Sequence, residues 1–260
     1  MIPAFIDTHC HFDFPPFVNH EEQSLQLAAE SGVDRMVIPA VSSAMFVGIV
    51  RLSDQYPMIY GALGLHPLYV DSHRDEHLAQ LQQMLAQRSD KVVAVGEIGL
   101  DDYMETPQSE RQLWLLSEQL KLANRYDLPV ILHSRRTHDK LAKLLRQTKQ
   151  ARTGVIHGFS GSLAQAQAFV RLGYAIGVGG VITYERAQKT RQVMAQLPLS
   201  SLLLETDAPD MPLAGFQGQP NRPERIKLIF EQLCQLRSES AEQIARQIYA
   251  NTQALFRFAI

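Results

Sequence analysis

The chain alternates short apolar runs with longer stretches in which apolar positions recur every three or four residues. The short runs predict strands near Ala4–Thr8, Arg35–Ala40, Ile59–Leu65, Val92–Glu97, Pro129–His133, Thr153–His157, Tyr174–Gly177 and Leu202–Glu205. Several are apolar at consecutive positions, as strands covered on both faces require. Between them the helical period takes over. Glu21–Glu30 aligns Leu25, Ala28 and Ala29, and Gln108–Arg125 aligns Leu113, Leu116, Leu120 and Ala123. The same reading predicts helices at Ala44–Gln55, Glu76–Gln87, Thr137–Gln147, Leu163–Arg171 and Thr190–Gln196, then Glu224–Leu236 and Ala241–Phe256. Ser240 and Gln243 have capping-box spacing at the start of the last one.

Eight strands alternating with helices predict an α/β chain closed into a (β/α)8 TIM barrel, one domain over residues 1–260. A doubly wound open sheet is the alternative. No repeat or linker interrupts the alternation. The proline-rich stretch Asp207–Pro223 reads as a long ordered loop after the last strand.

Chemistry-bearing residues collect at the ends of the strands. His9 and His11 end the first, His66 follows the third, Glu97 ends the fourth, His133 the fifth and His157 the sixth, and Asp207 follows the eighth. A closed barrel gathers its C-terminal strand ends at one mouth, so these residues are expected around one cavity. On an extended strand His9 and His11 point the same way and can reach one ion. Glu97 is costly to bury unless paired; it fits a bridge between two cations about 3.5–4 Å apart, or else an ion pair with an arginine. His133 and His157, taken with Glu97, complete a second site; singly, each is as compatible with a hydrogen-bonded core histidine. Asp207 is suited to hold the first cation and to orient or deprotonate a water, although a turn aspartate before proline is an ordinary use of the residue. Glu205 and Asp7 are expected behind the ligands, holding imidazole N–H groups. His66 is placed in a substrate pocket. Two divalent ions per chain follow, with zinc, manganese or magnesium as candidates.

Arg135, Arg136 and Ser134 directly follow His133. Guanidinium groups match phosphate geometry, and Ser134 with the start of the following helix can donate to an anion. Asn221 and Arg222 in the last loop, and Phe159 beside His157, are weaker candidates for the same cavity. His20, His73, His77 and His138 lie in polar contexts and are expected in solvent. Cys10 faces away from its neighbours His9 and His11 and is expected as a buried inert thiol.

Charge limits the partners. With 25 basic and 27 acidic residues the net charge is −2, so no global field draws the chain to nucleic acid or an anionic membrane, and any nucleic-acid contact is local. Nothing about the two scattered cysteines suggests a disulfide framework, and a reducing compartment is expected. Met1–Asp7 lacks the pattern of a signal peptide and no stretch is apolar for a membrane's thickness, so a cytoplasmic monomer without an obligate protein partner is expected.

Six segments together resemble the TatD family of metal-dependent deoxyribonucleases. They are Asp7–Asp13, Gly64–Pro67, Gly96–Asp101, Leu132–Arg135, His157–Gly161 and Glu205–Pro209. They run from the first strand to the last, with most likeness to the YjjV-type branch. The resemblance implies a (β/α)8 barrel in which His9, His11, Glu97 and Asp207 hold one metal and Glu97, His133 and His157 the other. It places Arg135 and His66 near a substrate phosphate and implies hydrolysis of phosphodiester bonds, often from a DNA end. Two departures bear on substrate grip. Arg136 and Thr137 stand where the family commonly has an acidic residue and alanine, and Asp210 and Met211 stand where an aromatic residue is common. A small-molecule amidohydrolase or lactonase is the alternative activity, and a non-catalytic metal-binding barrel the third.

Overall fold

The computed structural model describes residues 4–258. Met1–Pro3, on which part of the amino-terminal reading rests, and residues 259–260 lie outside them. The strands are β1 (Phe5–Asp7), β2 (Val33–Pro39), β3 (Ile59–Leu63), β4 (Val92–Asp101), β5 (Val130–Arg135), β6 (Gly154–Ile156), β7 (Ala175–Val178) and β8 (Leu202–Leu204). They form one parallel sheet in chain order. Backbone bonds just beyond β1 and β8 close it: Thr8 N–H donates to Leu204 O at 3.0 Å, Asp207 N–H to His9 O at 2.8 Å and His11 N–H to Ala208 O at 2.7 Å. An open sheet would leave those groups as edges, so the closed barrel is the correct reading.

The helices are α1 (Glu21–Glu30), α2 (Phe46–Gln55), α3 (Asp75–Ala86), α4 (Ser109–Arg125), α5 (His138–Thr148), α6 (Leu163–Arg171), α7 (Gln188–Gln196), α8 (Ile226–Leu236) and α9 (Ala241–Phe256). Ser240 caps α9 as its spacing predicts, and Ser162 caps α6 through the same reciprocal pairing with Gln165. Short 3-10 turns absent from the expectation precede α2 and α8 and fill Pro67–Ser72 after β3.

Two apolar layers result from strand alternation. Ile6, Val37, Ala62, Val93, Ile131, Val155 and Leu203 fill the barrel. Met36, Ile38, Val130, Leu132, Ile176 and Leu204 face the helices. Phe256 and Phe258 close the barrel's lower end, with the Phe258 ring 4.5 Å from that of Tyr60. The upper end, where the strands finish, stays open.

Strands β4 and β5 run further than their apolar runs predict. Their pairing slips between Val95 and Ile98, then continues through Gly99–His133, Leu100–Ser134 and Asp101–Arg135. Gly99 makes this possible: its φ is +153°, and a Cβ there would lie 2.0 Å from the His133 carbonyl oxygen. Glu97 therefore sits inside a strand, below the rim, instead of at its end.

Candidate metal centre

The six side chains expected at the mouth meet there. His9 Nε2 lies 3.3 Å from His11 Nε2, 3.2 Å from Glu97 Oε2 and 3.5 Å from Asp207 Oδ1. His11 Nε2 lies 3.6 Å from each of the same two oxygens. Four atoms each about 2.1 Å from a tetrahedral centre stand roughly 3.4 Å apart, so these separations suit a single cation. Two imidazole nitrogens and two carboxylate oxygens cannot all be satisfied by pairing with one another, whereas a cation at their centre satisfies every lone pair.

The other Glu97 oxygen has its own set. Oε1 lies 2.6 Å from His157 Nε2, 3.1 Å from His133 Nδ1 and 2.8 Å from His66 Nε2. The three rings differ in what their second nitrogen does. His133 Nε2 sits 2.8 Å from Asp101 Oδ2 and Nδ1 3.1 Å from Glu97 Oε1, so the charged ring donates to both carboxylates, and the neutral ring with its proton on Nε2 turns the Nδ1 lone pair toward Glu97. His66 Nδ1 accepts from Leu68 N–H at 3.1 Å, so its proton is on Nε2 and is donated to Glu97. His66 therefore steadies the carboxylate and is no ligand through that nitrogen, although it lies within reach of the cluster. The His157 ring stacks on His9 at 3.8 Å, which orients both.

Burial and charge shape the proton affinities. Glu97 is 2% exposed. Burial pushes its carboxyl up, but His157, His66 and His9 outweigh that and hold it well below the usual range. Burial opposes protonation of His157, yet Glu97, Glu205 and Asp207 raise it to about 10. Burial keeps His9 and His11 neutral and brings His66 to about 4. Burial, with Glu97 and Glu205 nearby, pushes Asp207 up. Without a cation, protons are thus drawn to His157 and His133, which face Glu97, while burial keeps His9 and His11 neutral; a cation beside Glu97 Oε1 would take the place of those protons.

Residues expected behind the ligands are present but bind differently. Asp7 takes no imidazole proton. It accepts from the backbone N–H groups of His9 and Thr206 at 3.2 and 3.0 Å, and from the Thr206 hydroxyl at 2.5 Å. It thereby ties the end of β1 to the turn after β8, because both segments leave backbone donors there that a buried carboxylate can use. Glu205 accepts from Gly158 N–H at 2.5 Å, and one of its oxygens lies within 4.8 Å of a nitrogen of His9 and of His157. It packs on Gly177, where a Cβ would meet its carboxylate at 2.4 Å. It makes no direct hydrogen bond to either ring: Gly158 occupies Oε1, while Oε2 and the Nδ1 atoms of His9 and His157 are buried without a partner.

Candidate ligands line one cleft. His11, His66, Glu97, His133, His157 and Asp207 line a cavity of about 260 Å³, rimmed by Phe14, Leu68, Tyr69 and Asp210. Arg135 is exposed just past His133 and lies over the Tyr103 ring at 3.7 Å. Ser134 does not reach the cleft. It faces the helix layer with Val130 and Leu132, and its hydroxyl pairs with that of Thr137 at 2.9 Å. Phe159 is core, edge-on to His138 at 5.0 Å. Asn221 is buried and donates to Thr206 O and Met211 O, pinning the loop after β8. Arg222 pairs with Glu224 and lies over Phe17. His73 and His138 are buried, contrary to expectation. His73 is 2.8 Å from the His66 carbonyl, and His138 packs on two phenylalanines. Their polar sequence neighbours gave no sign of the loop and helix that cover them. Cys10 is fully buried as expected.

Asp101, which holds His133 in the candidate site, is the residue the sequence reading missed. Glu97, Gly99 and Asp101 alternate, which is a signal that strand and carboxylates continue to one face.

Comparison with known proteins gives the same picture. A sequence profile described as TatD related DNase matches residues 6–257. The chain is 63% identical over 256 residues to YjjV of Escherichia coli strain K12, described as an uncharacterized metal-dependent hydrolase, with 98% of this chain and 99% of the relative covered. It is 30% identical over 250 residues to the protein of Pantoea sp. strain At-9b named 3'-5' ssDNA/RNA exonuclease TatD, covering 94% and 95%. The crystal structure of the Escherichia coli YjjV superposes with a TM-score of 0.98 over 100% of both chains at 62% identity. A TatD-family hydrolase of Entamoeba histolytica, 22% identical, shares the fold with a TM-score of 0.88 over 100% of both chains. Profile match and near full-length identity agree with the donor set at the mouth: the chain belongs to the TatD family and is a metal-dependent hydrolase.

Proposed function

We propose that the protein hydrolyses phosphodiester bonds at an end of a single-stranded nucleic acid, with two divalent cations shared by Glu97. His9, His11, Glu97 and Asp207 hold one cation, and Glu97, His133 and His157 the other. The observation that carries this is a buried carboxylate whose two oxygens each face their own set of donors. Nitrogen-rich sets favour zinc or manganese, and magnesium can serve where water and phosphate oxygens complete its shell.

Bound there, divalent cations would supply Lewis-acid activation of a water near neutral pH and offset charge on the phosphoryl oxygens. The rest falls to the chain. Asp207, whose side chain is 19% exposed on the cleft side, orients the attacking water and takes its proton. His66 donates to Glu97 and keeps that carboxylate aimed at both sets. Asp101 fixes His133 with Nδ1 forward. Arg135 is the cation at the rim for a phosphate oxygen.

Depth and charge favour a strand end. A scissile phosphate has to descend to Glu97, which a duplex is too broad to do, and a chain with a net charge of −2 offers no broad footprint. The single-strand exonuclease name of the Pantoea relative supports the same substrate class. The test is a metal-reconstituted panel of single-stranded DNA, duplex DNA, RNA, simple phosphodiesters, lactones and cyclic amides. End-first cutting of single strands is expected, with turnover reduced about 100-fold in His133→Ala. Turnover of lactones or amides alone, or an unaffected His133→Ala, contradicts it.

A further inference from the structure

Beside the mouth stands a basic cluster of which the proposed hydrolysis uses only Arg135. Residues i and i+1 of a strand point to opposite faces, so Arg135 and Arg136 should diverge. They do not. Arg136 has a φ of +60°, in the left-handed region, and this breaks the alternation where β5 turns into α5. Both guanidinium carbons then lie over one exposed ring, that of Tyr103, at 3.7 Å for Arg135 and 4.4 Å for Arg136. The backbone that carries the ring is fixed in turn, since Tyr103 N–H donates to Asp101 Oδ1 at 2.8 Å and Asp102 N–H donates to Arg135 O at 3.0 Å.

Two guanidinium groups at one ring repel each other, and among the described residues neither has an ion-pair partner. The acids around them are shared with other partners. Asp101 takes His133 and the Tyr103 amide, and Asp102 takes Ser109 and Lys140. Ten donors in two planar forks, facing only the shared charge of Asp101 beside Arg135, are suited to a phosphate group. The cluster is linked to the metal centre through Asp101, one residue on each side of which contacts it, yet it stands outside the cleft.

We propose that Arg136 and Tyr103, with Arg135, form a second phosphate subsite that grips a phosphate not being hydrolysed, next along the strand from the scissile one. This rests on the phosphodiesterase reading above. Both ring neighbours are cations that contact phosphate and not base edges, so the subsite is indifferent to sequence. It makes the enzyme prefer substrates with two or more phosphates over a single-phosphate diester.

The test pairs Arg136→Ala and Tyr103→Leu with the wild type, each verified as folded by its thermal transition. With the metal-loaded enzyme, a single-stranded hexadeoxynucleotide and bis(p-nitrophenyl) phosphate are compared. Arg136→Ala is expected to raise KM for the hexanucleotide about tenfold with kcat unchanged, and to leave the one-phosphate diester within twofold. Binding is read separately by anisotropy of a labelled hexanucleotide on chelated protein. There Arg136→Ala is expected to weaken binding about tenfold and to reduce the salt slope by about one, with Tyr103→Leu intermediate. Inorganic phosphate should compete only weakly. Equal losses on both substrates, or unchanged anisotropy, overturns the subsite. A wild type that binds the hexanucleotide through Arg136 but cuts no phosphodiester overturns the function and leaves the subsite standing.

Discussion

Asp101 gives His133 a direction. A neutral imidazole can present either nitrogen, and the carboxylate at 2.8 Å from Nε2 settles which one faces Glu97. Asp101→Ala is accordingly expected to weaken the cation on the His133 side about 10- to 100-fold, with the His9 side retained. Metal per chain after dialysis against a graded chelator reads this out, and loss of both ions together would contradict it. At this scale the sequence was most legible where residue type and strand end coincide, as for His9, His11, Glu97, His133, His157 and Asp207. It was least legible where the hydrogen-bond partner decides the role. Nothing in Gly64–Pro67 says that Leu68 N–H occupies His66 Nδ1, and nothing in Leu132–Arg135 says that Thr137 claims the Ser134 hydroxyl.

Element by element, β4 decides the depth of the site. Its apolar run ends at Glu97 in the sequence, but the strand continues to Asp101 because Gly99 lets it pass within contact of His133's backbone. Gly99→Ala is expected to destabilise the fold by about 3 kcal/mol or more and to displace His133. Gly158→Ala is the matched comparison. Its φ is +55° but nothing lies within 4 Å of the added methyl, so only backbone strain of about 1 kcal/mol is expected. Urea unfolding of the two variants separates the cases, and equal midpoints would refute the close-approach argument. Helix boundaries were legible from periodicity; the 3-10 turns before α2 and α8 and over Pro67–Ser72 were not, since they extend or replace loops without a period of their own.

Over the whole molecule, closure between β1 and β8 concentrates charge at one mouth, and its titration follows. In protein freed of metal, His157 is raised from 6.5 to about 10, chiefly by Glu97 acting against burial. A raised histidine stabilises the fold fully below 6.5, and that stabilisation is lost as pH rises through about 10. Glu97, held below 4.5, acts oppositely, and its contribution is lost as pH falls below its ordinary value. Chelated protein should therefore lose thermal stability between pH 6.5 and 10, while metal-loaded protein, in which a cation replaces that proton, should not. A gap in Tm between the two forms that stays constant across this window would contradict the shared role of Glu97. The barrel itself was readable from eight apolar runs in order, whereas its closing bonds and the burial of His73 and His138 are tertiary facts that local pattern does not encode.

The most direct measurement is anomalous diffraction from zinc- or manganese-loaded crystals. Two peaks about 3.5–4 Å apart are expected, one between His9, His11, Asp207 and Glu97 Oε2, the other between His133, His157 and Glu97 Oε1. A single peak, or peaks away from Glu97, would show that this carboxylate does not bridge two cations.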